Sequence, residues 1–255
     1  MSSNSRSFAI QMNRFVYRMS QHWAWVVLIP LGIFTLMPFV APTLSYVGWD
    51  SASQAVYTFY KPFCHQFGFR SFYLFGLQSV YPRTNTGTAL VTYEDIILET
   101  APADFAHIQN LYADSSKASD LLDWANLQWT ARDHIGNPTM GYKVAVCERD
   151  ISIYGALFVG GVLYVIFQKR VRPLPIWLYI WLGLGPIAID GFSQLLSLPP
   201  FELWAVRETL PMFRVLTGAT FGFMNAWLGF PYLKMSFDET RWEIEDKFRK
   251  AGITL

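Results

Sequence analysis

Residues 23–47 read WAWVVLIPLGIFTLMPFVAPTLSYV and carry no charged side chain. The hydrocarbon core of a bilayer is about 30 Å thick and a helix rises about 1.5 Å per residue, so about 20 apolar residues suffice to cross it. This stretch is long enough to span, although Pro30, Pro38 and Pro42 should kink or end it. It is too long for the apolar core of a signal peptide and lacks a small-residue cleavage site, so it reads as a retained membrane anchor.

Outward from this anchor, three more stretches have the same character. One runs from about 144 to 168, uncharged from Ile151 on. A third runs from Pro173 to about Leu198 with Asp190 inside it, and a fourth from Pro211 to about Leu233 with Arg214 near its start. Residues 55–80 are aromatic but interrupted by Lys61, His65 and Arg70, which suits an interfacial or re-entrant segment. Composition agrees with a membrane setting. Hydrophobic residues reach 52% and charged ones only 15%, against about 25% in an ordinary soluble domain. Ten Trp suit side chains that sit at lipid–water interfaces. The net charge of +1 makes no case for nucleic-acid binding, and two cysteines exclude a disulfide-dense scaffold.

Basic residues set the orientation. Arg6, Arg14 and Arg18 precede the first span, Lys169, Arg170 and Arg172 lie between the second and third, and Lys234, Arg241, Lys247, Arg249 and Lys250 follow the fourth. With four spans all of these fall on one side, the cytoplasmic one. The expected organisation is a cytoplasmic N-terminal segment (1–22), a first transmembrane helix (23–47), the interfacial segment (48–80), an extracytoplasmic insertion (81–142), a three-helix transmembrane region (143–233) and a cytoplasmic amphipathic tail (234–255). The fold class expected is all-α: an integral membrane bundle of about four transmembrane helices with an extracytoplasmic helical insertion.

The insertion holds eight acidic against three basic residues. Ile96, Ile97, Phe105, Ile108, Leu111, Leu121, Leu122, Trp124 and Leu127 recur at roughly helical spacing, which predicts two or three short helices or a loop folded back on the bundle. In the tail, Ser236 and Glu239 match a capping box. Glu243 with Lys247 and Glu245 with Arg249 match favourable i,i+4 pairs, and Phe237, Trp242 and Phe248 suit contact with the inner leaflet.

Polar groups within spans are costly and therefore informative. The topology sends Cys64, His65, Gln66 and Arg70, Cys147 to Asp150, Asp190 with Gln194, and Arg214 to the outer level of the membrane. Cys147, Asp150 and Tyr154 share a helix face, as do Asp190 and Gln194. Arg214, Gly218, Gly222 and Ala226 share another, with Gly218 and Gly222 spaced for close helix approach. An Asp190–Arg214 pair is the expected way for the bundle to hold both charges.

These residues also carry a resemblance. Cys64-His65-Gln66 with Arg70-Ser71-Phe72 and Phe75-Gly76, Cys147 to Gly155, and Asp190-Gly191, Gln194, Arg214, Thr217, Gly218 and Gly222 resemble the blocks of a prokaryotic membrane-protein family catalogued as domain of unknown function 2085. The resemblance implies a membrane location and no activity. Asp150 stands where many members have a second cysteine, and residues 81–142 read as an insertion.

Three readings of Cys64, His65, Cys147 and Asp150 are open. They form a zinc site, the cysteines form a disulfide, or both thiols stay free. Three functions follow. The first is an accessory or structural subunit of a membrane complex, with the lipid bilayer and other subunits as partners. The second is an outward-facing membrane enzyme or redox protein, with His65 or Asp150 as acid–base groups and Arg149 or Arg214 binding an anion. The third is a transporter, ranked last because the inner halves of the spans offer little polar beyond Asn225.

Overall fold

The computed structural model describes residues 3–105, 128–167, 171–198 and 200–254. It is mostly helical. Helix α1 (Ser3–Gln21) leads through His22 into α2 (Trp23–Leu36), a single 3-10 turn (Met37–Phe39) and α3 (Val40–Tyr46). Trp23–Tyr46 is thus one continuous apolar rod. The 3-10 turn falls at Pro38, where the missing N–H tightens the helix without breaking it. Gly48, at φ 80°, turns the chain back into α4 (Asp50–Tyr60), which packs on α3. The buried Ser45 and Ser53 hydroxyls pin that turn at 2.7 Å.

Two departures from an all-α chain follow. Residues 48–80, expected as an interfacial or re-entrant segment, hold α4 and then strand β1 (Ser71–Leu74). The second span, expected from about Val144, begins only at Glu148, because Gly141–Cys147 is strand β3. Strand β2 (Gly136–Asn137) completes an antiparallel sheet in the order β1-β3-β2. The register pairs Ser71 with Cys147 and Tyr73 with Lys143. The hairpin between β2 and β3 is built by Asn137, whose Oδ1 accepts from the N–H groups of Thr139 and Met140, each at 3.0 Å. Gly141 closes it at φ 85°, where an added Cβ would stand 2.5 Å from the Leu74 carbonyl oxygen. Alternating Tyr142, Val144 and Val146 are apolar enough to read as the start of a span. The glycine-bounded turn before them and the partner strand from residues 71–74 decide for a strand instead.

Helix α5 (Tyr93–Thr100) is capped by Thr92, whose hydroxyl accepts from the Asp95 N–H at 3.2 Å. Ile96 and Ile97 are buried against Phe69, Tyr73, Tyr81 and Met140. So the start of the insertion folds onto the sheet. Ile108, Leu111, Leu121, Leu122, Trp124 and Leu127, expected at helical spacing, fall outside the described residues.

Helix α6 (Glu148–Phe167) follows the sheet directly. The next apolar stretch opens as Ile176–Leu178, widens to a π-helix over Tyr179–Leu184 and continues as α7 (Gly185–Leu195). Among the described residues, three helical stretches are therefore long and apolar enough to cross a membrane: Trp23–Tyr46, Glu148–Phe167 and Ile176–Leu195. The expected fourth is the first half of one unbroken helix, α8 (Pro211–Lys250). The tail is no separate element. Ser236 and Glu239 sit mid-helix, so no capping box forms there, and Pro231 is accommodated within the rod.

Helix α8 packs on α6 along a seam of small residues. An added Cβ would lie 2.6 Å from the Arg149 carbonyl oxygen at Gly218 and 2.2 Å from that of Ile153 at Gly222. Close backbone approach of this kind is what small-xxx-small spacing permits. At the other end α8 meets α1. Tyr17 donates to Glu245 at 3.0 Å and Arg14 to the Thr254 carbonyl at 2.7 Å. Phe237 stacks on Trp23 with ring centroids 6.1 Å apart, and Phe248 is buried, so of the three expected leaflet contacts Trp242 alone is exposed. Glu243 and Lys247 pair as expected at 3.4 Å, whereas Arg249 turns to Asp246 and leaves Glu245 to Tyr17 and Arg241.

Candidate functional site

The end of the bundle next to the sheet is where the polar residues meet. The segment after α4 is guided there by Gln66. Its backbone takes φ 56°, and its buried amide donates to the carbonyls of Tyr57 and Ala145, each at 2.8 Å. One side chain thus ties the Cys64-His65-Gln66 turn to both α4 and β3. Lys143, wholly buried, works from the strand side. Its ammonium donates to the carbonyls of Gln66 (2.9 Å), Ala131 (3.1 Å) and Arg132 (2.5 Å). Burial pushes its pKa down to about 7, while three acceptors match the three protons of the ammonium form.

Two ion-pair groups lie behind this turn. In the first, Arg70 grips Glu208 through two bonds, Nε to Oε1 at 2.6 Å and Nη2 to Oε2 at 2.9 Å. Arg214 also donates to Glu208, and its other guanidinium nitrogen lies 3.6 Å from Glu148. Glu208 is 6% exposed. Burial alone would raise its pKa, but Arg70 and Arg214 outweigh burial and hold it down at about 2. In the second group, Asp190 receives Arg149, Arg207 at 3.2 Å and the Thr209 hydroxyl at 2.7 Å. The expected Asp190–Arg214 pair is therefore corrected: Asp190 pairs with Arg149 and Arg207, and Arg214 with Glu208 and Glu148. Arg214 is buried as expected, and its partners come from the loop before α8 and from the first residue of α6. Gln194 is buried too, and its side-chain nitrogen makes no hydrogen bond among the described residues.

Beside these groups stand the two cysteines. Both are buried and both are free thiols, so the disulfide, one of the three open readings, is not formed in the structure. Cys147 ends β3 and Asp150 lies in the first turn of α6. The sulfur atoms of Cys64 and Cys147 and a carboxylate oxygen of Asp150 lie within 4.8 Å of one another. The Cys64 sulfur accepts two backbone N–H bonds, from Cys147 at 3.0 Å and Gln66 at 3.4 Å. The closeness of the two side chains raises the pKa of Cys64 and lowers that of Cys147. His65 stands outside this set. It is exposed and its ring lies 5.3 Å from that of Phe67.

The comparisons with known proteins fall on the same elements. Residues 139–228 match the family of predicted membrane proteins catalogued as domain of unknown function 2085. The matched residues run from β3 to the middle of α8 and hold Cys147, Asp150, Asp190, Glu208 and Arg214, whereas the Cys64 turn precedes them. An uncharacterized protein of the archaeon Methanocaldococcus jannaschii is 25% identical over 204 residues, covering 78% of this chain and 84% of that one. No solved structure matches the chain.

Sequence reasoning missed Glu208 and Arg207. Both lie in a short loop between spans, where a charged residue is ordinary, and only the fold turns Glu208 inward. The signal available was charge balance. It gave no warning, since Glu148, Asp150 and Asp190 already equal Arg70, Arg149 and Arg214 in number.

Proposed function

We propose that the protein is a multi-pass component of a prokaryotic cytoplasmic membrane, with both termini cytoplasmic and the sheet outside, that serves as an accessory or structural subunit of a larger membrane complex. The observation that carries this reading is that the converging charges are consumed by one another. Arg70, Arg214, Glu148 and Glu208 form one closed set, and Asp190 with Arg149, Arg207 and Thr209 another. Buried charges arranged in this way fix the relative placement of helices and sheet. The contact of α1 with the end of α8 supports termini on the same side, and with them a fourth span in residues 211–233. The third span supports a membrane partner. Ile180, Trp181, Ile189 and Phe192 all point away from the rest of the chain, an apolar face for lipid or a neighbouring helix. A transporter has less support, since the mid-span Asn225 is occupied by the Tyr179 hydroxyl at 3.2 Å and by the Phe221 carbonyl.

The test is native mass after extraction in a mild detergent from membranes with the gene at its own expression level. A stoichiometric second polypeptide that persists through two separations is expected. A monodisperse particle holding this chain alone overturns the subunit reading, and the outward-facing enzyme or redox reading then takes its place.

A further inference from the structure

Cys64, Cys147 and Asp150 come from three different elements: the turn after α4, the end of β3 and the first turn of α6. The Cys64 turn is placed there independently of the contiguous stretch that holds Cys147 and Asp150. The Cys64 turn is held by Gln66, Cys147 by its register opposite Ser71, and Asp150 by the start of the helix. Their donor atoms nevertheless fall within 4.8 Å of one another. Two soft sulfur donors and a carboxylate at that spacing are a ligand set for zinc, whose thiolate and carboxylate bonds are about 2.0–2.3 Å long.

One further observation points the same way. The Cys64 sulfur, buried, accepts two backbone N–H bonds, which fix its position beside the other two donors.

We propose that Cys64, Cys147 and Asp150 bind one zinc ion and leave its fourth position open to water or a small exchangeable ligand. Binding releases the protons of both thiols. His65 is no ligand, being exposed and outside the set. Three protein ligands with an open position are the pattern of zinc sites that polarise a bound water or carbonyl oxygen, whereas structural sites close with four protein ligands. This inference goes beyond the subunit reading and does not rest on it.

The experiment is metal analysis of untagged protein purified without chelators, together with a count of thiols on the denatured chain. Wild type is expected to hold about one zinc ion per chain, and Cys64→Ser and Asp150→Asn are expected to lose it. Asp150→Asn keeps the size of a partly exposed side chain, so its folding is secure where that of Cys64→Ser is in question. His65→Ala is expected to keep the metal. Replacement of zinc by cobalt should give thiolate charge-transfer bands that shift when imidazole is added. Wild type without metal, or with its two thiols oxidised to a disulfide, overturns the site. Loss of metal in His65→Ala, or a cobalt spectrum indifferent to imidazole, overturns the open fourth position.

Discussion

Replacing Glu208 with glutamine keeps its size and removes the charge that Arg70 and Arg214 share. The cost follows from the structure by two routes. The carboxyl is held at about 2 against an ordinary 4.5. At about 1.4 kcal/mol per unit, this makes the charged form worth roughly 3 kcal/mol to the folded state at neutral pH. Breaking a buried pair by removing one partner costs about 3–5 kcal/mol, because the remaining charge is left uncompensated. Here two guanidiniums would be left with Glu148 alone, so a loss of about 3 kcal/mol is expected. The assay is reversible unfolding of wild type and Glu208→Gln in mixed micelles across pH. The native state has the lower pKa and binds fewer protons than the unfolded chain. The contribution is therefore complete above pH 4.5 and is lost as pH falls towards 2. The gap between the two proteins should close over that interval. A variant within about 1 kcal/mol of wild type at pH 7, or a gap that does not narrow on acidification, would refute the reasoning.

Two other outcomes follow from the helix interface and the second ion-pair group. Asp190→Asn and Arg149→Gln should show a coupling of about 1 kcal/mol or more in a double-mutant cycle, whereas Asp190→Asn and Arg214→Gln should add within about 0.5 kcal/mol. Equal coupling in both cycles would restore the pairing of Asp190 with Arg214. Gly222→Val should lower stability by at least about 1–3 kcal/mol, since its side chain would meet the Ile153 carbonyl oxygen at 2.2 Å, while Gly229→Ala, with open space around it, should change little. A Gly222→Val protein that melts with wild type would show that α6 and α8 are not packed along this seam.

What could be read from residue order was whatever depends on local composition. The apolar run of residues 23–47 and the uncharged run from Ile151 identify membrane helices, because length and hydropathy alone decide whether a helix can cross a bilayer. The Gly218–Gly222 spacing identifies a packing face for the same local reason. Cys64, Gln66, Cys147, Asp150, Asp190 and Arg214 could be singled out because a polar group near apolar spans must find a use.

Partners are another matter. Residues 141–147 are as apolar as the start of a helix, and they form a strand only because residues 71–74, some seventy positions earlier, supply an antiparallel edge. Arg214 takes Glu208 in preference to Asp190 because the loop before α8 folds inward, and nothing in that loop's composition announces it. The long helix α8 erases the cap that Ser236 and Glu239 suggest, since the packing of Ile244 and Phe248 stabilises a continuous rod. Membrane character and the identity of the polar residues were thus determined by sequence alone, because hydropathy and side-chain chemistry belong to each residue where it stands. Which charges pair, which thiols meet and where helix gives way to strand were decided by tertiary structure, because each depends on contacts between segments far apart in the chain.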